Sequence, residues 1–153
     1  MRDIALRLAL CAGPAMVAAA NPHAVEAGLE ALRNGGNAID AAIAVQSVLG
    51  LVEPQSSGLG GGSFMLYRDA QSGAITVYDG RERAPMAADE SLWLDEAGEP
   101  LPFLTAWTSG RAVGVPGVIA MLAMAHEDHG ARDWGANFEF AARLADDGFE
   151  ISP

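Results

Sequence analysis

The segment Ala38 to Val52, "AIDAAIAVQSVLGLV", constrains this chain more than any other feature. Only Asp40, Gln46 and Ser47 are polar in it. A helix that is apolar nearly all round must lie in a core or between layers. It is too short to cross a bilayer, which takes about 20 apolar residues. Its start is well marked: Asn37 is a capping residue, and Asp40 stands at the third helical position, where a carboxylate meets free backbone N–H groups. Glu53-Pro54 ends it. The rest of the chain must supply its cover.

The neighbouring segments read as follows. Asn21-Pro22 is an N-cap followed by Pro at the first helical position, and Val25, Leu29 and Leu32 follow at helical spacing until Gly35-Gly36. Met16 to Ala20 is a candidate short strand. Phe64 to Tyr67 and Ile75 to Asp79 read as a hairpin turning at Gln71-Ser72-Gly73. Gly80 to Gly114 is irregular and long for a loop in a compact domain. Two further helices are expected, from Gly117 to about His129 and from about Phe138 to Asp147, each stopped by a glycine. The class is α+β, helices plus a β-hairpin. One hairpin is a meagre sheet for a helix that needs cover on all sides, so the chain reads as part of a larger fold.

Composition excludes several functions. Twenty acidic residues against nine basic ones leave a net charge of −11, which repels nucleic acid and anionic membranes. Cys11 is the single cysteine, so no disulfide or CxxC metal site forms within one chain, and it reads as a small buried hydrophobe. Residues 1–14 form an N-terminal extension with a weak resemblance to a leader, but Asp3 offsets Arg2 and Arg7 interrupts the apolar run. Periplasmic and cytoplasmic locations both fit. "HEDHG", His126 to Gly130, has its histidines three apart rather than four, and histidines in a last helical turn also suit the helix dipole, so no metal site is assigned.

Gly58 and Gly60 to Gly62 suggest a phosphate cradle, but the order of elements is wrong. Phosphate loops run strand, glycines, helix; here a helix precedes the glycines and a strand follows. Neither register matches G-x-G-x-x-G, and no Gly-Lys-Ser/Thr is present. The glycines read instead as sites of positive φ or close backbone approach before a strand, with free N–H groups that can also bind an oxyanion. "YDGRERAP", Tyr78 to Pro85, sets Arg81 and Arg83 around Glu82 just past the second strand. An arginine at a strand end can hold a carboxylate bidentately. From the residues alone, a surface charge cluster is the commoner explanation.

Three stretches in series change that balance: "GGNAIDAA", "VEPQSSGLGGG" and "GRERAP", with "GVPGVIAML" and "LADDGFEIS" following in order. On these the chain resembles the N-terminal part of the gamma-glutamyltransferase (gamma-glutamyltranspeptidase) family over 15–153. The resemblance implies a partial N-terminal-nucleophile hydrolase αββα sandwich. It implies a precursor that cleaves itself into two subunits, and an N-terminal threonine that attacks a gamma-glutamyl carbonyl with its own α-amine as base. Glutathione-like compounds are the implied donors, water or an amino acid the acceptor, with no metal or organic cofactor. Arg81 matches the family's receptor for the donor's α-carboxylate; Glu82 either orients it or is structural. Thr76, Thr105 and Thr108 are the only threonines, and none fits the nucleophile's pattern. The catalytic threonine is therefore expected on a small subunit outside this sequence, leaving the chain inactive alone. The alternatives are a related acylase of the cephalosporin type and a truncated non-catalytic product.

Overall fold

The computed structural model describes residues 15–151. The extension over 1–14, with its leader-like run and Cys11, lies outside them. The elements in chain order are α1 (Pro22–Arg33), α2 (Ala38–Val52), β1 (Ser63–Arg68), β2 (Ile75–Gly80), α3 (Phe103–Trp107), α4 (Val118–His129) and α5 (Glu139–Asp147), with 3₁₀ turns at Gly110–Ala112 and Gly135–Asn137.

α1 starts where its cap dictates. The Asn21 side-chain oxygen accepts from the His23 N–H at 3.0 Å, and its amide nitrogen donates to Glu53 at 3.1 Å. That second bond ties the start of α1 to the end of α2, so the two helices form an antiparallel hairpin. Their contact is lined by small residues, Ala24, Ala27, Gly28 and Ala31. A Cβ on Gly28 would stand 2.9 Å from methyl groups of both Val45 and Val17, so the approach is as close as the backbone allows.

α2 carries the capping box read from the sequence. Asn37 accepts from the N–H groups of Ile39 and Asp40, and the Asp40 carboxylate accepts from the Asn37 N–H at 2.9 Å. Asp40 is completely buried. Its carboxylate also accepts from the Ala131 N–H at 3.0 Å, the Arg132 N–H at 3.3 Å and the Asn137 amide at 3.0 Å. Burial alone raises its pKa, but these hydrogen bonds to the charged form outweigh that and hold it below the usual carboxylate range.

The cover over α2 comes mainly from helices, not from a sheet. On one side Ala44, Val48 and Val52 pack with Ala24, Ala27 and Ala31 of α1, and Phe140, Ala141 and Leu144 of α5 close over them. On the other, Ile39 and Ile43 join Tyr78 of β2 and Val118, Met121, Leu122 and Ala125 of α4. α4 thus lies between α2 and the hairpin. Met16 to Ala20 is not a strand: among the described residues the only sheet is β1-β2. The alanines there have too little side chain to hold an edge. The irregular segment also contains the short helix α3 and isolated bridges at Arg83–Val115 and Leu94–Pro100.

β1 and β2 pair antiparallel, with Ser63 opposite Gly80 and Arg68 opposite Ile75. Asp69 shapes the turn by accepting from the backbone and hydroxyl of Ser72, and Gly73 takes the φ of +74° that closes it. Alternation then sorts the faces. Met65, Tyr67 and Tyr78 point toward the helices. Phe64, Leu66, Ile75 and Val77 share the opposite face and are each 60% exposed or more.

Two outcomes follow from this packing. The bare hairpin face should make the isolated chain associate. Light scattering on a size-exclusion column should give a mass above the monomer, lowered by the pair Leu66→Lys and Val77→Lys; a monodisperse wild-type monomer contradicts this. The lowered pKa of Asp40 means its stabilisation is present above its ordinary pKa, near 3.8, and is lost as pH falls through the folded value. Asp40→Ala should cost about 3 kcal/mol at neutral pH by urea unfolding, because buried donors lose their acceptor. The gap from wild type should narrow as pH falls through the ordinary carboxylate range and below it.

Candidate functional site

The site begins where β2 ends. Gly80 is pressed against Gly117 at the start of α4, and a Cβ on Gly117 would overlap the Gly80 carbonyl. The chain must therefore leave the sheet there. The Asp79 side chain accepts from the Arg81 N–H at 2.9 Å and sets the exit direction. The backbone next anchors at Arg83, which exchanges hydrogen bonds with Val115, 2.8 Å and 3.3 Å long. Between these two anchors, Arg81 and Glu82 project.

The Arg81 side chain is 69% exposed, and its Nη1 lies 3.1 Å from Oε2 of Glu82. That Glu82 oxygen is buried; among the described residues no donor is aligned for a hydrogen bond to it, and its ion-pair partner is Arg81. The carboxylate lies directly against Gly62: a Cβ there would stand 2.5 Å from Glu82 Cδ and 2.9 Å from its backbone nitrogen. On the other side, a Cβ on Gly114 would stand 2.8 Å from that of Glu82.

This explains the glycine cluster. None of Gly58 or Gly60 to Gly62 has a positive φ; the described glycines that do are Gly35, Gly73, Gly98 and Gly148. The expectation of positive φ is therefore corrected, and close approach stands, concentrated at Gly62. A helix N-terminus does reach the loop, from far along the chain. The N–H groups of Gly117 and Val118 donate to the Gly61 carbonyl at 3.1 Å and 3.2 Å. They are spent on that carbonyl, which fills the position an oxyanion would take.

A cavity of about 450 Å³ opens beside the loop, lined among others by Gln46, Ser57, Gly62, Ser63 and Glu82. Gln46 donates to the Ser57 hydroxyl at 2.9 Å, which accounts for one of the few polar residues of α2. Glu82 is the residue common to this cavity and to Arg81. Another arginine, Arg111, lines a separate cavity, but its Nη1 donates to the carbonyls of Leu92 and Leu94 and serves the loop.

The histidines near the end of α4 do not converge. His126 Nε2 lies 3.0 Å from the Arg132 carbonyl and 3.6 Å from Asp40. The His129 ring stacks on Tyr67 with centroids 4.2 Å apart. Among the described residues no group of three His, Cys, Asp or Glu is placed to hold a metal. Tyr78 donates to Asp128 at 2.8 Å; burial first, then that carboxylate, push its phenol up to about 12.

The sequence marks Arg81 as an arginine at a strand end but does not show what surrounds it. Gly114 and Gly117 gave the only hint, as small residues whose partners lie some thirty residues upstream in the chain.

The arrangement of paired helices over a β-hairpin is that of the N-terminal-nucleophile hydrolases, of which this chain presents an α+β portion. It superposes on the gamma-glutamyltranspeptidase of Helicobacter pylori with a TM-score of 0.81 and 34% identity, covering 90% of this chain and 39% of that one. Against the cephalosporin acylase of Bacillus halodurans the TM-score is 0.71 at 32% identity, over 87% of this chain and 24% of that one. The glutathione hydrolase proenzyme of Bacillus subtilis strain 168 is 45% identical over 136 residues, 89% of this chain and 23% of that protein. The chain thus spans less than a quarter of that relative's length. The profile of the gamma-glutamyltranspeptidase family matches residues 24–153, and the chain belongs to that family.

The glycines should differ in tolerance. Gly62→Ala should lower stability by about 1–3 kcal/mol, because its Cβ meets the Glu82 backbone as well as the side chain. Gly60→Ala, with nothing within 4 Å of its Cβ, should melt as the wild type does. Equal melting temperatures for the two variants would falsify the close-approach explanation.

Proposed function

We propose that residues 15–153 belong to the N-terminal part of the large subunit of a gamma-glutamyltransferase, and that Arg81 receives the α-carboxylate of the gamma-glutamyl donor. The observation that carries this reading is the guanidinium at the end of β2, exposed yet held at one nitrogen by Glu82. A planar fork with its remaining N–H groups free is suited to a carboxylate, which it binds bidentately.

Acyl transfer needs a nucleophile, and we read none of this chain's threonines as that group. Thr76 lies in β2, exposed, and Thr105 lies in α3. The Thr108 hydroxyl donates to the Leu104 carbonyl at 2.8 Å, a helix-end role. The proposal therefore places the nucleophilic threonine on a small subunit outside this sequence. There its hydroxyl attacks the gamma-glutamyl carbonyl while its own α-amine takes the proton. The amine of the donor leaves, and water or an amino acid then releases the acyl group. In this scheme Arg81 binds ground state and transition state alike and sets the register of the carbonyl against the threonine. Glutathione and similar compounds are the proposed donors, in keeping with the naming of the Bacillus subtilis relative.

The second reading is an acylase, favoured by the likeness to the Bacillus halodurans enzyme. Arg81 argues for the first, because it is suited to a donor that carries an α-carboxylate.

In the full-length enzyme, Arg81→Ala should lower kcat/KM for gamma-glutamyl-p-nitroanilide by about 2–3 kcal/mol of transition-state binding, roughly 30- to 150-fold. An unchanged value removes Arg81 from the site and leaves the acylase reading ahead.

A further inference from the structure

The irregular segment between Gly80 and Gly114 carries a feature that the proposed acyl transfer does not use. Trp93, Phe103 and Trp107, with Ala106 and Ala112, line an open cavity of about 290 Å³. All three rings are exposed, although burying a ring is among the larger apolar gains open to a chain. They are nevertheless held in place. Phe103 and Trp107 stand one turn apart on α3, with centroids 5.9 Å apart and planes 21° from parallel. The Trp93 carbonyl accepts from the Leu101 N–H at 2.8 Å. Arg111 Nη1 donates to the carbonyls on either side of it, Leu92 and Leu94, at 3.1 Å each. The end of α3 is closed by the Thr108 hydroxyl on the Leu104 carbonyl and the Ser109 hydroxyl on the Ala106 carbonyl. The aromatic walls are thus set by the chain's own hydrogen bonds.

Charge decides what such walls suit. Residues 84–114 carry Asp89, Glu90, Asp95, Glu96 and Glu99 against Arg111 alone, and the Arg111 guanidinium is turned to backbone carbonyls. Asp89, Asp95 and Glu96 line a neighbouring cavity together with Leu92 and Leu94, the residues that flank Trp93. An anion is repelled here and a cation is drawn in. Aromatic faces then attract the cation through their quadrupole. The lining side chains offer no hydrogen-bond acceptor, only the indole N–H groups. An ammonium with N–H groups of its own therefore loses water without replacement. A quaternary ammonium has no N–H to satisfy, and its methyl groups pack against the rings. From this geometry we propose that Trp93, Phe103 and Trp107 bind a small soluble quaternary ammonium compound of the choline type, held by cation–π contact. The pocket uses none of the residues around Arg81 and stands apart from the role given to Arg81.

The test titrates the full-length enzyme by isothermal calorimetry with choline chloride and with its uncharged isostere, 3,3-dimethylbutan-1-ol. Choline should bind saturably and about fivefold or more tightly than the isostere. Raising sodium chloride from about 0.02 M to about 0.5 M should weaken choline and leave the isostere unmoved, because only a charge is screened. Trp107→Leu and Trp93→Leu keep an apolar side chain and remove the ring; each should weaken choline about two- to thirtyfold, with the melting temperature of the wild type. The comparison of the two probes on the wild type needs no variant to fold. Arg81→Ala should bind choline as the wild type does, whatever its effect on gamma-glutamyl-p-nitroanilide, so the two readings fail separately. Absence of saturable choline binding overturns the site. Equal affinity for the two probes, or wild-type choline affinity in both tryptophan variants, overturns the cation–π assignment. Cosedimentation with phosphatidylcholine vesicles without binding of free choline overturns the small soluble ligand.

Discussion

The buried carboxylate of Asp40 is the contact on which the remaining geometry depends. It completes the cap of α2 and, with the same two oxygens, gathers the N–H groups of Ala131 and Arg132 and the amide of Asn137. The Asn37 side chain adds a bond to the His129 carbonyl at the end of α4. The start of α2 and the end of α4 are thereby joined in one polar knot inside the core. With that end held, the opposite end of α4 meets the Gly61 carbonyl, and Gly117 meets Gly80. The path from a capping residue to the candidate site therefore runs along one rigid helix. A charge is tolerable in such a place because each oxygen is satisfied, and removing it strands several donors at once.

Around this knot the chain solves the problem of its apolar helix with small residues. Alanines and Gly28 bring α1 close to α2, so a short side-chain layer covers it without a sheet. The hairpin is left to serve two purposes. Its inner face completes the core through Tyr78, and its end delivers Arg81 and Glu82. Its outer face, with Phe64, Leu66, Ile75 and Val77, is apolar and uncovered. That is the pattern of a strand buried on both faces, in keeping with the sandwich architecture of the relatives.

Local signals were read correctly where the responsible interaction is local. The caps at Asn21 and Asn37, the box with Asp40 and the hairpin turn at Gly73 each depend on residues within a few positions of one another. The candidate strand at Met16 to Ala20 failed because alanines carry no commitment to pairing, and α3 escaped notice because a helix of one turn has almost no period to detect. Arg81 was visible as a residue type at a strand end, and the family resemblance gave it a role. The slot around Glu82 was not visible. Its walls, Gly62 and Gly114, lie far apart in the chain, and a glycine in a sequence does not say what it makes room for.

By itself the sequence determined that α2 must be enclosed, that a hairpin follows a glycine-rich passage, and that an arginine leaves the second strand. Periodicity, capping and turn chemistry are properties of neighbouring residues, so they survive in one dimension. Only the tertiary structure decided which glycine is indispensable and why. It placed the N–H groups of α4 on Gly61, spending the donors that a phosphate would have needed, and it set the Glu82 carboxylate against Gly62. Both are contacts between backbone segments brought together by the packing of α4, and excluded volume of that kind exists only once the chain has folded.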